Sequence, residues 1–600
     1  VRRQEVQPRA EQDRPDTKGL LSMRRSIASP TDIARTIPHP SIGAGIAMSL
    51  ALIAIAWLSV IPFMRPQAVP ASAPATEFSA ERAFQHLQVI AAEPHPAESA
   101  ANAKVRDYLL QVLRQEGLTP EVQEATVTRT FTTRPAVTGR VQNIIARVPG
   151  SGGGPSVALA AHYDSVGRGP GASDDGVAVA ALLETVRALR AGPPLAHDVL
   201  IVLTDGEEAG LLGAKGFVEQ SPLASEIGLA LNFEARGTTG PSYMFEATNN
   251  NGWLIPQFAR AAAYPAGYSF TFEIYQLLPN NTDFTEFRTL NIPGLNFAFL
   301  NGFENYHTSR DDLAHVDLRS MQHHGSYMLS LARHFASIDL VEQPAPNVIY
   351  FTLPGPFILY YPQSLALPLA IIGVLLFGVL LWQGLRQGRL TVRGIALGFA
   401  ALLLSLILTL LGTFLIFFVL VAIHNGPFVL PEQGATPNSG LYALGFVAFA
   451  VMIAALLYRW LSRRTSWENL TVGAWLWWLI LSVLTSLALP GASYIFSLTL
   501  LVGCLALTLV FARGDRLSVL ARELILLIPA IVALLLCGPL IYGLFIALMT
   551  NLYLVVMAFV ALLVAFLLLQ IRVVSVSLAW ALPLVAGLVA AGVWIVAART

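Results

Sequence analysis

The sequence predicts an α/β domain built on a mixed, mostly parallel sheet flanked by helices, with one transmembrane helix before it and a multi-helix transmembrane domain after it. Three observations carry that prediction. The chain is 54% hydrophobic and only 13% charged, with a mean hydropathy of +0.58, far from the composition of a soluble protein. The apolar excess is uneven, since residues 66–345 have an ordinary globular composition while residues 356–600 hold very little charge. Within the first stretch, short aliphatic runs alternate with segments of helical period, the pattern of strands separated by helices.

Taken in order, residues 1–42 mix charge, proline and serine without apolar periodicity and are expected to be a cytoplasmic tail. No charged residue occurs between Arg35 and Arg65, so residues 43–65 are long enough to span a bilayer. A cleaved signal peptide ending near Ala71-Ser72-Ala73 is the rival reading, but the apolar run exceeds the ~7–15 residues usual for one. Residues 66–79, rich in proline and alanine, are expected to be a linker, and residues 80–345 the α/β domain. There, strands are expected at 141–148, 157–163, 199–204 and 228–233, and helices at 177–191 and 318–335.

Residues 346–600 carry eight further apolar segments, near 364–382, 394–423, 441–458, 470–489, 493–511, 524–548, 551–571 and 577–597, for nine spans in all. Their connections alternate. Arg386, Arg389 and Arg393, then Arg459, Arg463 and Arg464, then Arg513, Arg516 and Arg522, then Arg572 mark every second one, and those between lack Lys and Arg. The positive-inside rule makes the arginine connections cytoplasmic and places the α/β domain and the 424–440 loop on the other side. Glu432, Glu468, Asp515 and Glu523 are the acids after residue 355, all in loops or at helix ends, which argues against a transporter or receptor whose helices handle ions.

A net charge of zero gives no footprint for nucleic acid, so the partners expected are the bilayer and a small substrate, with the oligomeric state open. Cys504 and Cys537 both fall in apolar segments, leaving the α/β domain without a disulfide. Lysine occurs only at Lys18, Lys104 and Lys215, a bias toward arginine that points to a GC-rich bacterial genome. The sequon Asn280-Asn281-Thr282 arises easily by chance and decides nothing.

The polar residues that bear chemistry lie where strands end, the place where open α/β sheets bind ligands. His162 follows the apolar run VALAA. Asp174 sits in GASDDG, a glycine-rich turn opening a helix. The strand DVLIVLTD runs into Glu207 and Glu208, Glu234 ends GLALNFEARG, and His307 lies in FENYHTSRDD. Each has an ordinary reading alone: a structural histidine, a helix cap, an acidic pair at a helix start. Together they bring imidazole and carboxylate groups to one edge, with one carboxylate of the pair able to ligate a cation and its neighbour free to take a proton from metal-bound water.

HYDS, GASDDG, the DGEE pair, NFEARG and YHTSRDD, in that order, resemble the M28 family of zinc metallopeptidases, over roughly residues 80–340. With its membrane helices the chain is similar to the branch that includes endoplasmic reticulum metallopeptidases and vacuolar membrane proteases. The resemblance implies a zinc-aminopeptidase-like fold, a peptide substrate and two zinc ions per chain: one on His162 and Glu234, one on Glu208 and His307, with Asp174 bridging them ~3.5–4 Å apart. It implies Glu207 as general base and Tyr306 as oxyanion-stabilising group. Glu234 stands where the soluble aminopeptidases carry Asp. Asp175 and Asp311 are expected to orient a histidine ligand, Asp283 to lie at the rim of the site or in a turn, and His95, His197, His315, His323 and His324 to have no role. A single-zinc glutaminyl cyclase is the alternative within the same fold, and an intact Glu207 argues against an inactive relative. The location implied is a bacterial inner membrane with a periplasmic peptidase domain, or else an endoplasmic reticulum or vacuolar membrane with a lumenal one.

Overall fold

In the computed structural model, residues 41–61, 65–132, 135–278, 280–340, 345–423, 439–548, 552–578 and 580–599 are described, besides Val1. The tail expected at 1–42 and the 424–440 loop fall almost wholly outside them. A seven-stranded sheet runs in the order β1-β2-β4-β3-β5-β7-β6, formed by β1 (Glu121–Arg129), β2 (Val137–Val148), β3 (Ser156–His162), β4 (Val199–Thr204), β5 (Ile227–Ala235), β6 (Tyr243–Ala247) and β7 (Gly294–Phe299). The four central strands β4, β3, β5 and β7 are parallel, while β1, β2 and β6 join antiparallel at the two sides. All residues of β3 and β4 are buried, as unbroken aliphatic runs require when helices cover both faces.

One face packs on helices Ala80–Ile90, Ala100–Gln115, Ala178–Arg190 and Leu318–Phe335, the other on Leu212–Gln220 and Phe284–Phe287. The expected strands and the two expected helices are all present, with ends shifted by a few residues. β1, β6 and β7 are additions to the expected strands; β1 is polar on its exposed face and β6 has five residues. Side-chain caps begin the helices: Ser79 accepts from the amide of Arg82, Ser99 from Asn102 and Asp317 from Arg319, each worth about 1 kcal/mol.

The stretch expected to be a linker lies against the domain. Arg65 pairs with Asp317, the Val69 amide donates to Gln322 at 3.0 Å, and Arg82 donates to the carbonyls of Ala71 and Ala73. The α/β part also reaches past residue 345, since a hairpin of β8 (Val348–Leu353) and β9 (Phe357–Pro362) meets Tyr268 through Phe351.

Among the described residues, seven helices are long and apolar enough to cross a membrane: Ile42–Ser59, Gln363–Arg386, Val392–Ala422, Ser439–Leu461, Trp467–Ala488, Pro490–Arg513 and Val519–Ala547. The last of these continues through Pro529 and Pro539. Of the nine spans expected, the segment at 551–571 is not one straight helix. Tyr553–Phe566 and Leu568–Leu578 meet at 75°, just before Arg572, which pairs with Glu523 at 2.5 Å instead of carrying its charge into hydrocarbon. The final apolar helix, Ala581–Ala597, is shorter. This is a multi-pass membrane protein.

The α/β domain rests on one end of the helices. Ser269 donates to the carbonyl of Gly491 at 2.6 Å, the Gly491 amide donates to Glu273 at 2.8 Å, Asn301 donates to Tyr542 at 3.0 Å, and Phe351 stacks on Tyr494 with ring centroids 4.5 Å apart. Gly491 lies in an arginine-free connection, so the arginine connections lie at the far end.

Helix Leu318–Phe335 approaches Phe78 so closely that a Cβ at Gly325 would come within 1.9 Å of its ring, whereas a Cβ at Gly167 would meet nothing within 4 Å. Gly325→Ala is therefore expected to cost about 1–3 kcal/mol through overpacking, and Gly167→Ala less than about 0.5 kcal/mol. Thermal unfolding of the two variants beside the parent checks this, with a lowered midpoint for the first alone.

Candidate metal centre

The parallel order β4-β3-β5-β7 brings four strand ends to one edge of the sheet. His162 is the last residue of β3, Glu207 and Glu208 follow β4, Glu234 is near the end of β5, and the loop after β7 carries His307. Asp174 comes from the turn between β3 and helix Ala178–Arg190. That turn starts at Gly171, whose φ of +62° and whose approach to the Asp174 carbonyl, 2.6 Å from a modest Cβ, admit no side chain. The Asp174–Asp175 peptide is cis.

The expected ligands come together as two triads sharing Asp174. On one side, the Nε2 atom of His162 lies 3.2 Å from Asp174 Oδ1 and 3.7 Å from Glu234 Oε2. On the other, the Nε2 atom of His307 lies 3.1 Å from Asp174 Oδ2 and 3.0 Å from Glu208 Oε2. Glu207 stands between them, able to join a group with His162 and Glu208. His162, Asp174 and Glu234 are at most 6% exposed.

His307 occupies the third position of a tight turn in which the Thr308 amide donates to the Asn305 carbonyl. Its φ is +58°, a conformation that favours glycine or asparagine there and that costs a branched side chain about 1–2 kcal/mol. Tyr306 stacks on it with centroids 3.8 Å apart.

Around this centre, several acids hold the backbone in place. His162 Nδ1 donates to the Asp164 carbonyl at 3.0 Å, which leaves the Nε2 lone pair facing the site. The Asp164 carboxylate accepts from the amides of Glu207 and Glu208 at 3.0 and 3.2 Å. Asp164 thus fixes the histidine and the acidic pair together. Sequence reasoning missed it, although its place two residues past His162 at a strand end was the available signal. Asp175 and Asp311 do not orient an imidazole. Asp175, on the turn that aims Asp174, accepts from the His162 backbone amide, and Asp311, from the loop after His307, accepts from the amides of Ser173 at 2.7 Å and Asp174 at 3.1 Å in that turn. Asp283 is buried and takes the hydroxyl of Thr204, so it lies beneath the site and not at its rim. The other histidines stand outside the triads.

So many acids in one pocket repel each other. Burial, with repulsion from Glu234 and Glu208, raises Glu207 well above the usual carboxyl range. Burial and the neighbouring Asp174 push Glu208 up to about 7. Burial also raises Glu234. Burial opposes the charged imidazoles, yet the close carboxylates outweigh it, those of Asp164 and Asp174 raising His162 well above its usual value and those of Asp174 and Glu208 raising His307 to about 10. Asp174 Oδ2, Glu208 Oε1 and His307 Nε2 are buried without a hydrogen-bond partner, although His307 Nε2 is close to both carboxylates. Lone pairs converging without hydrogen-bond geometry, in a pocket with surplus negative charge, fit a divalent cation, and imidazole with carboxylate is a donor set that suits zinc.

Residues 143–332 match the family described as Peptidase family M28. The chain is similar to endoplasmic reticulum metallopeptidase 1 of Mus musculus, 32% identical over 232 residues, which is 37% of this chain and 26% of that protein. It is also similar to the vacuolar membrane protease of Candida albicans (strain WO-1), 29% identical over 282 residues, 46% of this chain and 32% of that one. The matches thus span about a quarter to a third of the curated relatives' length. Among solved structures, the aminopeptidase from Aneurinibacillus sp. strain AM-1 aligns with 46% of this chain and 98% of its own at 14% identity and a TM-score of 0.36. Porphyromonas gingivalis glutaminyl cyclase aligns with 42% and 96% at 22% identity and a TM-score of 0.35.

The electrostatics set a pH dependence for the metal-free protein. A carboxyl group raised in the fold favours its neutral form, so Glu208 removes stability as pH climbs from about its usual 4.5 to about 7. An imidazole raised in the fold favours its charged form, so the contribution of His307 is lost as pH climbs from 6.5 to about 10. Both act in one direction. Chelator-treated protein is expected to unfold at progressively lower temperature from pH 5 to pH 9, with added zinc restoring more stability at the upper end; melting curves with and without chelator measure it.

Proposed function

We propose, from the premise that this chain carries a family M28 peptidase domain over residues 143–332, that the protein is a membrane-anchored two-zinc metallopeptidase acting as an aminopeptidase. The observation that carries this reading is the pair of triads sharing Asp174. His162 and Glu234 would hold one zinc, Glu208 and His307 the other, and Asp174 both. When bound, the ions supply Lewis acidity, which polarises a peptide carbonyl and makes water acidic enough to attack near neutral pH.

The rest is the work of the chain itself. Asp164 and Asp311 keep the backbone amides of Glu207, Glu208 and Asp174 in register. Glu207, with a carboxyl whose pKa burial raises, is a strong enough base to accept a proton from the attacking water and to deliver it to the departing amine. The peptide C–N bond breaks, the water oxygen stays on the acyl carbon, and the proton leaves on nitrogen. Tyr306, stacked on His307 and within electrostatic reach of Asp174, Glu208 and Glu207, would donate its hydroxyl to the carbonyl oxygen as charge develops there.

A single-zinc glutaminyl cyclase would need only one triad, and nothing at the second favours that reading. The transmembrane helices act as anchor and platform, because Glu468 and Glu523 are turned to Arg572. The α/β domain, on the face away from the arginine connections, would meet peptides outside the cytoplasm.

Purified full-length protein should hydrolyse short peptides, lose that activity with chelator and regain it with zinc. Glu207→Gln should keep its zinc and fall by about 10²–10⁴-fold in kcat. Full zinc-dependent turnover by that variant would remove Glu207 from the base role.

A further inference from the structure

Arg236 follows Glu234 by two residues, at the end of β5. Its side chain is half-buried, and among the described residues its guanidinium makes no hydrogen bond or ion pair. This sets it apart from the half-buried arginines elsewhere in the domain, since Arg82 meets Glu184, Arg129 meets Glu286 and Arg288 meets Glu246. Its contact is a ring: the guanidinium carbon lies 4.9 Å from the centroid of Phe303. Phe303 stacks on Tyr306 at 5.5 Å, and Tyr306 on His307 at 3.8 Å. A continuous stack therefore runs from the unpaired cation to a candidate zinc ligand.

The titratable neighbours that act on Arg236 are Tyr306 and Tyr275, and both phenols are neutral at ordinary pH. Holding a cation partly away from water without a counter-charge is unfavourable, and a guanidinium fork is shaped to take a carboxylate by two parallel hydrogen bonds. The acids of the pocket face the shared centre of the two triads. Among the described residues no carboxylate meets Arg236, so its fork is open to one carried by a ligand.

We propose that Arg236 binds a carboxylate carried on the departing part of the substrate, so that the site takes short peptides ending in a free C-terminus close to the bond cut. The inference rests on the peptidase reading above. Two residues along a strand separate Glu234 and Arg236 by about 7 Å, and each peptide residue beyond the scissile bond extends about 3.5 Å. A terminal carboxylate one or two residues past the bond therefore falls within reach of the arginine side chain. An acidic side chain at the same place offers the same chemistry, and the substrates below separate the two.

The test uses full-length, zinc-loaded protein and three probes: alanyl-alanine, alanyl-alaninamide and alanyl-glutamic acid α-amide. The parent is expected to favour alanyl-alanine over its amide by about 10- to 100-fold in kcat/KM, the range of one charge-assisted hydrogen-bonded pair. Arg236→Gln should bring that ratio to about 3-fold or less, chiefly through KM, and Arg236→Lys should retain part of it. Melting temperatures close to the parent's establish that the variants fold. An Arg236-dependent preference for the glutamyl amide over alanyl-alaninamide, without one for alanyl-alanine, would keep Arg236 as a carboxylate reader but overturn the free C-terminus as its ligand. If the parent cleaves free acid and amide alike, or Arg236→Gln slows both by the same factor, Arg236 reads no carboxylate while the peptidase reading stands. No turnover on any probe overturns both.

Discussion

Asp174 gives one carboxylate oxygen to the side of His162 and the other to the side of His307, and the surrounding structure serves that division. A short, buried carboxylate facing two imidazoles, with Glu207, Glu208 and Glu234 close by, concentrates negative charge that the sheet edge alone could not stabilise. The pocket meets this in two ways. Asp311 and Asp164 take up backbone amides and so hold the turn and the acidic pair at fixed positions. The remaining lone pairs point inward, where cations would neutralise them. The left-handed φ of His307 belongs to the same pattern: a local conformational cost is accepted because it brings the imidazole to the shared carboxylate.

The membrane domain is part of this arrangement and not only a tether. Ser269 and Glu273 grip the Gly491 connection. Tyr542, from helix Val519–Ala547, accepts from Asn301 in the segment that leads from β7 to His307. The backbone of Asn301 in turn pairs with Thr239, a few residues past Glu234 and Arg236. Two of the chain segments that reach the candidate centre, those following β5 and β7, are thus braced against the membrane helices. A rigid platform suits a site whose ligand atoms must converge within fractions of an ångström.

Much of this was legible in the sequence for physical reasons. Runs such as VALAA and VLIVL have no polar residue to face water, so they had to be central strands, and polar residues directly after them had to sit at the sheet's ligand-binding edge. The membrane part was visible in its hydropathy and in the alternation of its arginines. What escaped depends on contacts that one sequence does not encode locally. β1 hides behind polar residues on its exposed face, and the hairpin of β8 and β9 falls in the stretch assigned to the transmembrane domain. The break at Leu567 lies close to an ion pair that Arg572 makes with Glu523, far away in sequence. Asp164, Asp175, Asp283 and Asp311 were all visible as acids, yet their roles depend on which amide or hydroxyl lies within 3.3 Å or less, which only the folded chain decides.

The sharing of Asp174 is most directly tested by counting zinc. Metal-free full-length protein titrated with zinc, and analysed for bound metal after removal of excess, is expected to hold two ions per chain, and His307→Ala one. One ion per chain in the parent, at full peptidase activity, would contradict a centre in which a single carboxylate serves two cations.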